Sequence, residues 1–352
     1  MKRFSFSILL IVLLTATGCR NDKPTDDAGK GRYLFTDVVR LKTTPVKYQG
    51  KNQLCWAYAM LATIETEHLE AGDSVNLSPD YIARVYLSEL VGNYFFSRQK
   101  SDISMRGMAP MLVHLIQKYG IEPFDTYFCP EAINYNVVCR KLQKIADSAS
   151  SKEQLEGNME QFFDDNIGFL PRFVFMASVE YTPLEFAHSV CRRNEYEWIT
   201  SFSHHPFYES FELEVPDNVF HDEFFNLPID SLMAHIDTAL LHHHAVCWEG
   251  DTSEPGFSFA EGVAELKGRW PADVRKLQQQ RQRLFEKGRT TDDHCMALVG
   301  IAHGEDGRKY YLAKNSWGTN NPYGGLMYLS EDYVAMKTIA VGMPEEFRET
   351  RK

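Results

Sequence analysis

Long apolar runs are nearly missing from these 352 residues. The one candidate, Phe4 to Leu14, is too short for a confident membrane span, which needs about 20 residues. Basic side chains are in deficit: 37 Lys and Arg stand against 48 Asp and Glu, a net charge of −11. That argues against a nucleic-acid partner. No internal repeat or low-complexity tract is visible, which sets aside repeat architectures. Cysteine is sparse. Seven thiols without regular spacing exclude a dense disulfide scaffold. No carboxylate or cysteine pattern completes a metal site around His242-His243-His244 or His204-His205.

What is present begins at the N-terminus. Met1-Lys2-Arg3 is basic, an apolar stretch follows, and small residues precede Cys19. That order describes a secretory signal. Ala16-Thr17-Gly18-Cys19 also resembles the lipobox of bacterial lipoproteins. The resemblance implies that residues 1–18 are removed and that Cys19 carries a lipid anchor. Residues 19–32 then read as a polar tether. The implied location is an exported, membrane-anchored lipoprotein facing the periplasm or the cell surface. A plain signal peptide that happens to contain a cysteine is the alternative.

The rest reads as α+β, with helices dominating early and strands late. Cys55 to Leu69 lacks Gly and Pro and carries apolar residues on a helical period. Ser78-Pro79 reads as a cap and first helical residue. Pro110 to Tyr119 is a helix stopped by Gly120. Residues 140–170 and 227–242 look helical, and the charged run 271–288 reads as an exposed helix. Residues 205–220 read as loop with a short strand, and Ala245 to Trp248 as a strand. From His294 onward, short apolar runs divided by Gly, Asn and Pro read as antiparallel strands, including Gly325 to Val334. Cys129 and Cys139 are candidates for a disulfide, and the remaining thiols read as reduced core. Phe95-Phe96 and Phe224-Phe225 read as core, and Asp292-Asp293 as the end of a loop, with modulation of substrate binding as the alternative.

One constellation carries chemistry. A thiol nucleophile needs a lowered pKa, an adjacent imidazole, a group that orients that imidazole, and donors for an oxyanion. Cys55 opens a helix, whose dipole favours its anion. His294 begins a strand. Asn315 follows another strand, and Trp317 can shield its contact with an imidazole from water. Gln49 precedes Cys55 closely enough to lend its amide.

The order Gln49…Cys55-Trp56-Ala57…His294…Asn315-Ser316-Trp317-Gly318 resembles the papain-like cysteine peptidases. The family implies a two-lobe fold over residues 33–345, with a catalytic Cys55-His294-Asn315 set and Gln49 as oxyanion donor. Trp56 and Trp317 would bind substrate or shield the site. No cofactor and no metal are implied, and peptides are the substrate. Asn52-Gln53-Leu54 stand where the common motif carries a cysteine, and about 100 extra residues separate Cys55 from His294. Those departures resemble the bleomycin hydrolase and aminopeptidase C branch, as do Lys118-Tyr119-Gly120 and Cys247-Trp248-Glu249-Gly250-Asp251. The branch implies helical insertions, placed here mostly within 125–290, and aminopeptidase action. The short tail 346–352 lacks most of that branch's C-terminal arm, so endopeptidase action stays open. So do homo-oligomerisation and a catalytically inactive, lipid-tethered binding protein. A transglutaminase-like acyl transferase fits the Asn315-Ser316-Trp317-Gly318 context poorly.

Overall fold

The computed structural model describes residues 33–97, 102–129, 133–176, 178–268 and 270–345. The signal 1–18, Cys19, the tether 19–32 and the tail 346–352 lie outside the described residues. Among the described residues, no helix is long and apolar enough to cross a membrane.

After strand β1 (Phe35–Arg40) the chain is mainly helical: α1 (Cys55–Glu70), α2 (Pro79–Ser97), α3 (Ala109–Tyr119), α4 (Tyr135–Ser148) and α5 (Lys152–Asn166). A small hairpin, β2 (Val174–Met176) and β3 (Val179–Tyr181), leads to α6 (Pro183–Val190). Next come β4 (Tyr196–Thr200), β5 (Ser210–Glu212), β6 (Glu223–Asn226), α7 (Ile229–Leu241), β7 (Val246–Gly250), β8 (Phe257–Ser258), β9 (Val263–Ala264) and α8 (Val274–Glu286). The chain closes with β10 (His294–Gly304), β11 (Lys309–Lys314), β12 (Leu326–Ser330), α9 (Glu331–Lys337) and β13 (Thr338–Pro344).

Local chemistry explains most boundaries. Ser78 Oγ accepts from Tyr81 N–H at 3.1 Å and caps α2, with Pro79 first in the helix. Gly120, at φ 87°, ends α3. Helical residues 140–170 resolve into α4 and α5, because Ser151 caps a new helix start. Two helices escaped the sequence pattern. Thr182 and Glu185 form a reciprocal capping box that starts α6. The strand expected over Gly325 to Val334 forms as β12 only through Ser330, which is the N-cap of α9.

Strands assemble in the order β5-β6-β4-β13-β7-β10-β11-β12-β9-β8, with β1 also paired to β10. Most pairs are antiparallel; β4–β6 and β9–β12 are parallel. One apolar core fills the helical lobe and another underlies the sheet. They interlock at α1, which packs against β10 and β7. Cys247 and Cys295, from strands, belong to the helical core, while Ala62 of α1 belongs to the sheet core.

Two expectations are corrected. All six described cysteines are free, so Cys129 and Cys139 do not pair. Helix α8 is not simply a solvated face. Arg281 is fully buried over the Phe202 ring and donates to the carbonyls of Ser201, Ala335 and Met336. Burial pulls its pKa down to about 9. It ties α8 to the end of α9 and to β4, where carbonyl dipoles favour a cation.

Candidate active site

The site lies where the two cores meet. Cys55 is the first residue of α1, and the N-cap residue Leu54 supplies no side-chain cap. The first-turn N–H groups and the dipole are therefore left to face an anion. Cys55 is half-buried. A hydrogen bond from the Cys295 thiol, together with the hydrogen bond and charge of His294, outweighs burial and holds the thiol well below its ordinary range.

His294 opens β10 and is 3% exposed. Its Nε2 stands 2.8 Å from Asn315 Oδ1. That oxygen also accepts the Ser316 N–H at 2.7 Å, while the Asn315 amide reaches Met327 Sδ at 3.4 Å. Both ends of the carboxamide are thus committed, so its oxygen faces the ring and fixes a proton on Nε2. The other ring nitrogen is left for the thiol. Trp317 covers this contact, its ring 4.6 Å from the imidazole, and Phe257 and Phe259 hold it edge-on.

Asn315 is supported from behind. Lys314 Nζ donates to Thr44 Oγ1 at 2.6 Å and lies 3.7 Å from Glu65 on α1. Glu65 also receives Lys47 Nζ at 2.5 Å and the Leu77 N–H at 2.7 Å. Burial, only partly offset by Glu65, pulls Lys314 down to about 8. This network fastens the helix that opens at Cys55 to the strand end that carries Asn315. Gly318 follows at φ 76°, a backbone conformation glycine adopts freely, and its N–H donates to Lys47 O at 3.2 Å.

Gln49 is 6% exposed. Its N–H donates to Ser316 O at 2.8 Å, and its Oε1 accepts from Ser316 Oγ at 2.5 Å. One hydrogen of its Nε2 goes to Asn52 O at 3.0 Å, leaving a second. The Asn52 side chain closes the same loop onto Gln49 O and the Leu54 N–H. Hydrogen bonds thus tie the loop together where the common motif has a cysteine. Trp56 has no exposed surface, and its indole N–H donates to Met105 O at 2.9 Å. It braces the helix start from beneath and offers no face to a substrate, contrary to the sequence expectation.

Residues 174–346 match the model of the Peptidase C1-like family. The solved structure of PepW from Lactobacillus rhamnosis HN001 aligns with a TM-score of 0.68 at 18% identity, covering 89% of this chain and 82% of that one. The fold is that of the papain-like cysteine peptidases, and the matched family model spans just under half of the chain. The bromelain protease of Ananas comosus, solved with the E64 inhibitor, is similar at a TM-score of 0.42 and 14% identity, covering 85% of this chain and 92% of that one. No curated protein matches.

Around this site the sequence reading missed two neighbours. Cys295 sits next to His294 in an apolar run and looked like core. Glu249 lies opposite Cys295 in the β7–β10 register, a pairing no local pattern reveals. The histidine clusters are occupied elsewhere. His243 and His244 meet Glu70 and Glu67 on α1, at 3.0 and 2.7 Å. Glu214 meets His204 and His205 at 3.1 and 2.6 Å, a trio with metal-like donors. Ser203 N–H, however, fixes Gln282 Oε1, so Gln282 Nε2 donates to His204 Nδ1 at 2.9 Å. The neutral ring then carries its proton on Nε2, toward Glu214, which leaves no lone pair there for a cation.

Proposed function

We propose that the chain hydrolyses peptide bonds by acyl transfer, as an aminopeptidase of the bleomycin hydrolase type. The observation that carries this reading is the buried 2.8 Å His294–Asn315 contact beside a thiol held low at a helix start. The Cys55 thiolate attacks the scissile carbonyl. The Cys55 N–H and the remaining Gln49 amide hydrogen receive the oxyanion. His294 protonates the leaving amine, then takes a proton from water as that water releases the acyl group from Cys55. Asn315 holds the ring through both steps. No step calls for a metal or organic cofactor.

The branch rests on the motif resemblances and on the long helical stretch between Cys55 and His294. An endopeptidase with the same site is the second reading, favoured by the half-exposed nucleophile. Incubating the full chain and its Cys55→Ala variant with one peptide, free or acetylated at its N-terminus, separates them by mass spectrometry of the products. Stepwise loss of N-terminal residues from the free peptide alone is the expected result. Internal cuts in both peptides would establish the endopeptidase. Full activity of Cys55→Ala would end the proposal.

A further inference from the structure

Three carboxyl groups crowd the thiolate, and the mechanism uses none of them. Glu249 is 1% exposed and lies opposite Cys295. Its Oε1 accepts the N–H of Ala109, first residue of α3, at 2.5 Å. Its Oε2 is buried without a nitrogen or oxygen partner, and the Cys295 thiol is the other group at the carboxyl. Asp292 precedes His294 by two residues. Asp292 lies just before β10 opens at His294, where the Asp293 N–H still reaches Gly250 O at 3.4 Å. Asp292 Oδ2 is also buried and unpartnered. The neighbouring Asp293, by contrast, is occupied by Thr252 N–H and Oγ1 at 2.7 and 3.0 Å, as a loop residue should be. Asp217 completes the group, with Arg106 Nε 2.6 Å away.

The charges do not balance. Burial and then repulsion from Glu249, Asp217 and Cys55 push the Asp292 carboxyl far above its ordinary range. Burial pushes Asp217 up to about 6 against the pull of Arg106, and Cys55 adds to the rise. Buried carboxyl oxygens without donors are costly unless something fills the deficit. Asp292 and Asp217 are only half-buried, so the cluster is open to a solute on that side, next to Cys55.

We infer that Asp292, backed by Glu249, forms a cation subsite beside Cys55 that binds an ammonium or guanidinium group of the peptide. The cation is either the α-ammonium of the first residue or a Lys or Arg side chain near the scissile bond. Asp292 is then a determinant of specificity, the role in substrate binding that the sequence reading set second to a loop end. The inference rests on the peptide-cleaving reading above.

The test uses the full chain and three peptides of otherwise identical sequence. One has a free N-terminus with norleucine first, one is acetylated with lysine first, and one is acetylated with norleucine first. Cys55-dependent kcat/KM is measured for the wild type and for Asp292→Asn, and equilibrium binding for Cys55→Ala with and without Asp292→Asn. The wild type should prefer a cationic peptide over the neutral one by about tenfold, and Asp292→Asn should lose that preference. Preference for the free N-terminus alone identifies the α-ammonium; preference for acetyl-lysine alone identifies a side chain. Equal treatment of all three peptides, or a preference retained in folded Asp292→Asn, overturns the subsite. If the wild type cleaves none of them, the peptidase reading falls. The binding arm still decides the subsite: a cation preference lost with Asp292→Asn upholds it, and no preference removes it. Circular dichroism of Asp292→Asn, with Glu249→Gln as a second variant, separates these results from misfolding.

Discussion

Substituting Glu249 by glutamine tests the crowded carboxyl cluster through stability rather than turnover. The carbonyl of the new carboxamide keeps the bond from Ala109, and its NH2 fills the unpartnered side toward Cys55 and Cys295. In the wild type, burial first, then repulsion from Cys55, push the Glu249 carboxyl from 4.5 to about 8, against the bonds from Ala109 and Cys295. A carboxyl whose folded pKa is raised binds its proton more tightly in the native state. Its contribution is therefore fully present below about pH 4.5 and is lost as pH rises through about 8. At about 1.4 kcal/mol per pKa unit, the loss reaches roughly 5 kcal/mol. That figure is a ceiling, because Cys55, Asp292 and Asp217 share the same field and readjust together. Urea unfolding at pH 5, 7 and 9, followed by the fluorescence of buried Trp248 and its fellows, gives the two curves. The wild type should lose stability relative to Glu249→Gln toward pH 9, and the variant should be flatter. Parallel curves across that range would refute the reasoning.

Two further outcomes follow from the same geometry. Asn315→Ala leaves the His294 Nε2–H and the Ser316 N–H buried without their acceptor, so stability should fall by about 2–4 kcal/mol. Its kcat/KM should fall by about a hundredfold, with the larger change in kcat; unchanged kinetics in the folded variant would make Asn315 purely structural. Iodoacetamide, followed by peptide mapping, should label Cys55 at lower pH than any other described thiol, since burial raises Cys129, Cys139, Cys191 and Cys247. His294→Ala should move Cys55 labelling to higher pH, and an unmoved profile would mean that the imidazole does not sustain the thiolate.

Much of the site could be read from the chain because its parts are local. A helix opening at Cys55, a strand opening at His294 and the run Lys314 to Gly318 each announce themselves within a few residues. Helix α2 was legible for the same reason, since Ser78 and Pro79 carry the start signal on their own. Helix α6 carries an equally local signal in Thr182 and Glu185, but only eight residues follow, too few for a period to stand out. Arg281 looked solvated because charge marks an exposed face, and the carbonyls that accept its bonds lie 54, 55 and 80 residues away. Glu249 and Asp292 became interesting only through strand register, which no single segment encodes. Cys295 was masked by its neighbours: a thiol in an apolar run is usually core, and this one is buried as well as adjacent to Cys55.

The shared ownership of α1 bears on how the molecule can move. Strand residues Cys247 and Cys295 sit inside the helical core, and Ala62 of α1 sits inside the other. Opening the lobes about the catalytic line would tear side chains out of both cores at once. Cys55 and His294 therefore travel as one rigid piece. Insertions on either lobe can then lengthen, shorten or change sequence without retuning the distance between sulfur and imidazole. Chemistry and specificity become separable quantities in this architecture, open to independent change by evolution or design.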